Sequence, residues 1–416
     1  MKTKDQKTLY IVTAVCGAFV ILFALGVMLV FFLARGGESA EDPRVSLSEV
    51  RGVWIASVFN IDFPSAPDLD ADALRGEIDA IVENAASLGL NTICFQVRPS
   101  ADALYDSDIF PVSAYLSADR TLTLDALAYM VQAAHAKHIA VFAWVNPLRV
   151  TGSASGRDSL PEKHPAALHP EWAVEYADGR LYFDCGIPAV RELIADGVRE
   201  IVKNYAVDGV IFDDYFYPYP VTVEVDEKDT VAAFADDSTF AEYGKDFEDI
   251  GDFRRDCVNQ MVQLCYETVK SENIACAFGV APFGIWKNGY GGESGSETRG
   301  AQSYSDIYCD TLAWVQGGYI DFAAPQLYWR TTDSAAPYDI LCDWWAQALA
   351  ETDVQLLICH GAYRYDSDWE DPEGTLTAQV EYAGEKEVYG GSLFYGYEEL
   401  RENIHGAGDE VRKLYK

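Results

Sequence analysis

Two neighbouring acids, Asp213 and Asp214, stand in the stretch Asp208-Gly209-Val210-Ile211-Phe212-Asp213-Asp214-Tyr215-Phe216-Tyr217-Pro218. The first half is a short apolar run with β-branched Val210 and Ile211, the pattern of a buried strand. The second half is two acids, three aromatic rings and a proline. Acids beside rings are the parts of glycoside hydrolysis, in which one carboxyl donates a proton to the leaving oxygen and another serves as nucleophile or base. Aspartate also caps turns, so the pair acquires meaning only from its surroundings. On an extended chain neighbouring side chains point to opposite sides. One of the two would then face the site, while the other orients it or raises its pKa by like charge. The second working carboxyl is Asp214, Asp62, Asp102 or Glu398, and the sequence does not choose among them.

A strand that ends in chemistry needs a frame that gathers such ends. Strand patterns recur at 52–58, 91–97, 139–145, the stretch above, 275–281, 320–325, 354–359 and 391–395. Helical apolar spacing follows each one, at 72–88, 122–137, 188–205, 253–270, 304–316, 338–350, 376–386 and 397–414. In the first of these helices Leu74, Ile78, Ile81, Val82, Ala85 and Leu88 form one stripe, and Gly89 ends it. Alternation of this kind demands a parallel sheet with right-handed crossovers. Eight such units predict an α/β fold, a (β/α)8 TIM barrel over residues 45–416. That span exceeds the roughly 250 residues of a minimal barrel. The excess falls in the loops after strands 2, 3, 4 and 5, all on the C-terminal face, where it would wall a groove.

The strand ends then supply the candidates. Arg98, Asn146, Tyr215, Tyr217, Trp286, Gln326, Tyr328, Trp329 and His360 are predicted to bind substrate around Asp213 and Asp214. Amides and a guanidinium hold hydroxyls, and rings pack on the C–H face of a sugar. Each has a structural counterpart: Arg98 pairing with Asp62 or Asp102, Asn146 capping its loop, the tyrosines covering the barrel top, His360 held by buried hydrogen bonds. His135, His138, His164 and His169 lack metal-type spacing, so no metal and no cofactor is predicted. The acid run at 224–229 reads as a solvated loop, with weak calcium binding as its functional counterpart.

The formal net charge of −35 argues against nucleic acid as a partner. A neutral polysaccharide, or one whose charge is met by a few local arginines, fits better. Residues 9–34 contain no charged side chain, and these 26 residues would make about 39 Å of helix, enough to cross a bilayer. Lys2, Lys4 and Lys7 precede the run, whereas Glu38, Glu41 and Asp42 follow it. The prediction is a single-pass transmembrane signal anchor at the cell membrane, with residues 1–8 cytoplasmic, 35–44 a linker and the barrel extracytoplasmic. A cleaved signal peptide is the competing reading, but the run is long for one and no small-x-small site follows it. The nine cysteines form no CxxC pair and read as small buried hydrophobes.

Several blocks resemble the family 10-like glycosyl hydrolases of bacterial envelopes. They are Arg51-Gly52-Val53-Trp54, Phe95-Gln96-Val97-Arg98-Pro99, Asp102-Ala103-Leu104-Tyr105, Ala143-Trp144-Val145-Asn146-Pro147, His169-Pro170-Glu171-Trp172, the Asp208 stretch, Ala281-Pro282-Phe283-Gly284-Ile285-Trp286, Pro325-Gln326-Leu327-Tyr328-Trp329 and Trp344-Trp345. They occur in order over nearly all of residues 50–365. Members often carry Ser-Pro-Phe-Gly where this chain has Ala281-Pro282-Phe283-Gly284. The resemblance implies a TIM-barrel hydrolase of cell-envelope glycans, such as peptidoglycan strands stripped of their peptides. It implies Asp213 and Asp214 as the central acids, with Arg98, Asn146, Gln326 and Tyr328 around the sugar. The rival from another class is a non-catalytic glycan-binding barrel, which needs rings and amides but no pair of acids. A metal-dependent deacetylase-like protein would need clustered His and Asp ligands, and the mouth offers only His360.

Overall fold

The computed structural model describes residues 47–225, 228–289, 294–364 and 375–416. Its frame is a closed barrel of eight parallel strands, each bonded to its neighbours in chain order. They are β1 Val50–Ile55, β2 Thr92–Arg98, β3 Ala140–Val145, β4 Gly209–Phe212, β5 Ala277–Val280, β6 Phe322–Ala323, β7 Gln355–Gly361 and β8 Tyr389–Tyr395. The helices that return the chain are α1 Ala71–Ser87, α2 Ala126–His135, α3 Pro188–Asn204, α4 Ile250–Glu272, α5 Thr311–Gly317, α6 Tyr338–Leu349, α7 Leu376–Gly384 and α8 Ala407–Tyr415. The expected (β/α)8 alternation is therefore the observed one.

The helix starts follow from short polar side chains in the loops. Asp70, Asp125, Asp249, Asp310 and Thr375 each accept a backbone N–H from the first turn of α1, α2, α4, α5 and α7. Each cap satisfies a donor the helix cannot, for about 1 kcal/mol. α3 begins instead on Pro188, whose missing N–H would be unpaired there anyway. Gly89 follows α1 at φ +79°, as its place at the helix end requires.

Strand alternation sorts the core into two layers. Val50, Trp54, Cys94, Ala140, Phe142, Trp144, Ile211, Phe322 and Leu393 fill the barrel interior, while the intervening residues pack outward under the helices. Phe142 and Phe322 stack across the interior with centroids 5.5 Å apart. They fit because the strands beneath them carry glycine: a Cβ on Gly209 would lie 2.9 Å from Phe142, and one on Gly279 2.4 Å from Phe322. The eight described cysteines are all buried and free.

The chain departs from the predicted elements where loop tips carry positive φ. The expected helix at 304–316 is broken into Ser303–Asp306 and α5, because Tyr308 adopts φ +54°. The last helix is divided in the same way by Asn403, His405 and Gly406, all at positive φ. The long loops contain structure of their own. Ala173–Glu175 pairs with Leu181–Phe183, Thr222–Val225 pairs with Lys228–Val231, and Asp237–Tyr243 is a short helix. Residues 226 and 227 of the acid run and the predicted anchor at 9–34 lie outside the described residues. Among the described residues no helix is long and apolar enough to cross a membrane, and no cluster of potential metal ligands occurs.

Candidate active site

On five strands the inward phase continues to the C-terminal mouth, and there the inward residues become polar or aromatic. Trp54 on β1, Gln96 on β2, Trp144 on β3, Asp213 just after β4 and Tyr395 on β8 line one cavity of about 340 Å³. Loop residues complete it: Arg149, Asp214, Tyr215, Tyr219, Phe283, Gln326, Tyr328 and Tyr363. Trp54 and Trp144 meet edge to face at 4.8 Å and form the floor. Tyr328 stacks on Tyr395 at 6.0 Å, with Tyr363 edge-on to both, making an aromatic wall.

Both acids of the central pair reach this cavity. The strand ends at Phe212, so the strict alternation that would send Asp214 to the other side no longer applies. Each is only 4% exposed, yet the two are held differently. Trp144 Nε1 and Asn146 Nδ2 both donate to Asp213 Oδ2, at 3.0 and 3.2 Å, whereas Oδ1 has no partner. Burial pushes the Asp213 carboxyl from its ordinary 3.8 up to about 7; Arg149 opposes the rise and Asp214 adds to it. Burial also raises Asp214, but hydrogen bonds from the Tyr219 hydroxyl and the Gln326 amide work against it. Burial and Asp214 together keep Tyr219 protonated, hence a donor.

Two further groups are set for a ligand. Gln96 Oε1 accepts from the backbone N–H of Ser57 and Val58, both at 2.9 Å, which fixes the amide orientation. Its Nε2 is buried without a partner. Buried polar atoms are almost always paired, and Gln96 Nε2 and Asp213 Oδ1 are two bare ones in the same cavity. Arg149 is anchored by Nε and Nη2 on the Pro99 carbonyl, at 3.0 and 2.6 Å, and lies over the Tyr215 ring at 4.9 Å.

Of the predicted binding residues, Tyr215, Gln326 and Tyr328 line the cavity, and Asn146 acts one step back, through Asp213. The structure places the others outside the lining of this cavity. Register shifts between Gln96 and Arg98, and Arg98 pairs with outward-facing Val145. It is therefore buried beneath Phe110, 4.5 Å from the ring, and against Gly197 of α3. His360 follows inward-facing Cys359 and so faces out; Gln379 and Ser392 hold its two nitrogens at 3.2 and 2.8 Å, and burial lowers its pKa to about 4. Tyr217 is buried against Phe234, Tyr308 and Arg254. Trp286 stacks on Trp344 at 5.8 Å and donates to Asp310 at 3.1 Å. Trp329 stands behind Phe283, edge-on at 5.5 Å.

Among the alternative acids, Asp62 accepts the Ala56 N–H at 2.8 Å beside the short helix Tyr397–Arg401. Burial raises it to about 7, with Glu399 and Glu398 adding to the effect. It does not line the cavity, and neither do Asp102 and the exposed Glu398. Trp54, Gln96, Trp144 and Tyr395 were readable as the last inward positions of their strands. Arg149, Tyr219 and Tyr363 come from loops, where only the folded chain brings them in.

The comparisons with known proteins agree with this geometry. The profile of the family described as glycosyl hydrolase-like 10 matches residues 49–372. The chain is 36% identical over 410 residues to glycosyl hydrolase YngK of Bacillus subtilis strain 168, covering 97% of this chain and 76% of that protein. It is 33% identical over 346 residues to glycosyl hydrolase DigH of Escherichia coli strain K12, covering 79% of this chain and 76% of that one. In fold it resembles the PgaB (BpsB) glycoside hydrolase domain of Bordetella bronchiseptica, with a TM-score of 0.55 at 11% identity over 88% of this chain and 99% of that one.

Proposed function

The chain belongs to the glycosyl hydrolase-like 10 family and is a glycoside hydrolase; from that premise we propose that it cleaves a cell-envelope polysaccharide outside the cytoplasm, namely peptide-free peptidoglycan strands. In this reading residues 9–34 hold the barrel at the membrane. The observation that carries the proposal is the pair of buried carboxyls in one ring-walled cavity, one of them with a bare oxygen and a pKa near 7.

Asp213 is the proton donor. Near pH 7 it carries a proton part of the time, and its unpartnered Oδ1 is free to pass that proton to the leaving glycosidic oxygen. Asp214, with Tyr219 and Gln326 donating to it, is the carboxylate that meets the developing positive charge at the sugar carbon. Gln96 Nε2 holds a sugar oxygen, and Tyr328, Tyr363 and Tyr395 supply faces for the ring. The net charge of −35 disfavours strongly anionic polymers. Arg149 nonetheless offers one cation at the cavity, which would meet the carboxylate that a peptidoglycan sugar exposes once its peptide is gone.

The test is incubation of the protein with peptide-free glycan strands and with peptide-bearing peptidoglycan, followed by mass analysis of the products. Sugar fragments from the first alone are expected. Equal cutting of both, or of neither, would refute the substrate assignment.

A further inference from the structure

Beside the catalytic cavity lies a second one of about 260 Å³, walled by the loops that follow β2 and β3. The two share a wall. Arg149 lines the first, and Val150, Thr151 and Gly152 line the second. The Pro99 carbonyl that anchors Arg149 is followed by Ser100, which lines the second. Tyr115 of the second cavity packs at 5.8 Å on Phe59, the residue after Val58 of the first.

This second cavity holds two buried polar atoms without a hydrogen-bond partner, Ser100 Oγ and Asp102 Oδ1. Their residues are 3% and 7% exposed; the Ser113 hydroxyl and the backbone N–H groups of Ser100 and Ala114 work against the rise that burial gives the Asp102 carboxyl. Desolvating such atoms without recompense is costly, and a ligand that supplied the missing bonds would remove the cost. Gly152 keeps the space open: a Cβ there would lie 2.1 Å from the Tyr115 hydroxyl and 3.7 Å from Ser100 Oγ. Arg120 Nη1 lies 3.6 Å from Asp102 Oδ2, which offsets the acid's charge. At the junction of the two cavities the Phe59 ring is 53% exposed, a free aromatic face between two polar pockets.

We propose that this cavity is a second carbohydrate subsite, binding a neighbouring sugar unit of the glycan strand whose scissile bond lies over Asp213 and Asp214. Asp102 Oδ1 and Ser100 Oγ hydrogen-bond its hydroxyl or acetamido groups, Tyr115 offers a further hydroxyl and a ring wall, and the strand crosses Phe59 between the two cavities. The inference rests on the glycan-strand reading above. It also gives Asp102 a role, as a binding group and not as the second catalytic carboxyl.

The test uses the full chain with Asp213→Asn, which stops turnover, and isothermal titration with two-, four- and six-sugar fragments of peptide-free peptidoglycan. Affinity is expected to rise with fragment length. Adding Asp102→Asn should shrink the gain between the two- and six-sugar fragments at least tenfold. Adding Ser153→Trp, a change at an exposed position lining this cavity, should do the same by blocking it without disturbing the core. If the length dependence survives both changes, the subsite is refuted while the glycan-strand reading stands. If no fragment of any length binds the Asp213→Asn chain, the glycan-strand reading fails, and the subsite with it.

Discussion

Asp213→Asn should abolish hydrolysis and, at the same time, stabilise the fold in a manner that depends on pH. In the folded chain burial raises the Asp213 carboxyl from 3.8 to about 7. Between those values the folded state keeps a proton that the unfolded state has released. Stability therefore falls as pH rises through that window and stays lowered above it. At about 1.4 kcal/mol per pH unit, the interval amounts to about 4 kcal/mol by pH 7. Asparagine carries no such linkage. Its carbonyl oxygen can accept from Trp144 and Asn146 as Oδ2 does now, and its amide takes the place of the bare Oδ1. Asp62 also titrates with a raised value, but it does so in both proteins and cancels; Asp214 is relieved of the neighbouring charge in the variant, which adds to the margin in the same direction. Urea unfolding of the two proteins should then give nearly equal stabilities at pH 4, with the variant ahead by a margin that widens towards pH 7 and is constant above it. A margin that stays flat from pH 4 to 7 would refute the raised carboxyl and, with it, the assignment of Asp213 as proton donor.

Trp144→Phe removes one of the two donors to Asp213 Oδ2. A hydrogen bond to a charged group contributes about 1.5–3 kcal/mol, so the carboxyl should rise by about one pH unit or more. The alkaline limb of the kcat/KM profile, which starts near the present value of about 7, should move up accordingly, and an unmoved limb would contradict the assignment. His360→Ala strips Gln379 and Ser392 of their ring partner inside the barrel wall. It should lower stability by about 3 kcal/mol, read by denaturant unfolding, while KM stays within about twofold because the ring touches no substrate.

The barrel was legible because its signals are local and repeated. Apolar runs such as Val210-Ile211-Phe212, a capping aspartate such as Asp70 or Asp249, and Gly89 past a helix end each act within a few residues. The site was legible only in part, because reading strand ends as mouth-facing ignores the two-residue alternation. Cys359 faces in and His360 therefore faces out. Trp54 and Trp144, in the inward phase, form the floor that the strand-end reading passed over. A bulge defeats even the alternation: the register shift after Gln96 turns Arg98 to the outside. The cation that does reach the cavity, Arg149, is held by a carbonyl 50 residues earlier in the chain. No spacing rule announces a contact of that kind.

The contrast between Asp213 and Asp214 shows why composition alone could not assign their roles. They are neighbours, equally buried, and burial raises both. What separates them is where their donors come from. Asp213 continues the inward phase of β4, so it meets the side chains of β3 and of the turn after it, which crowd onto one oxygen and leave the other bare. Asp214 lies beyond the strand, where the loop that carries Tyr219 folds back on it. A proton is most easily held where an oxygen lacks donors, and negative charge where donors converge. The proposed division between acid and carboxylate therefore follows from the point at which the strand stops, one residue before the pair.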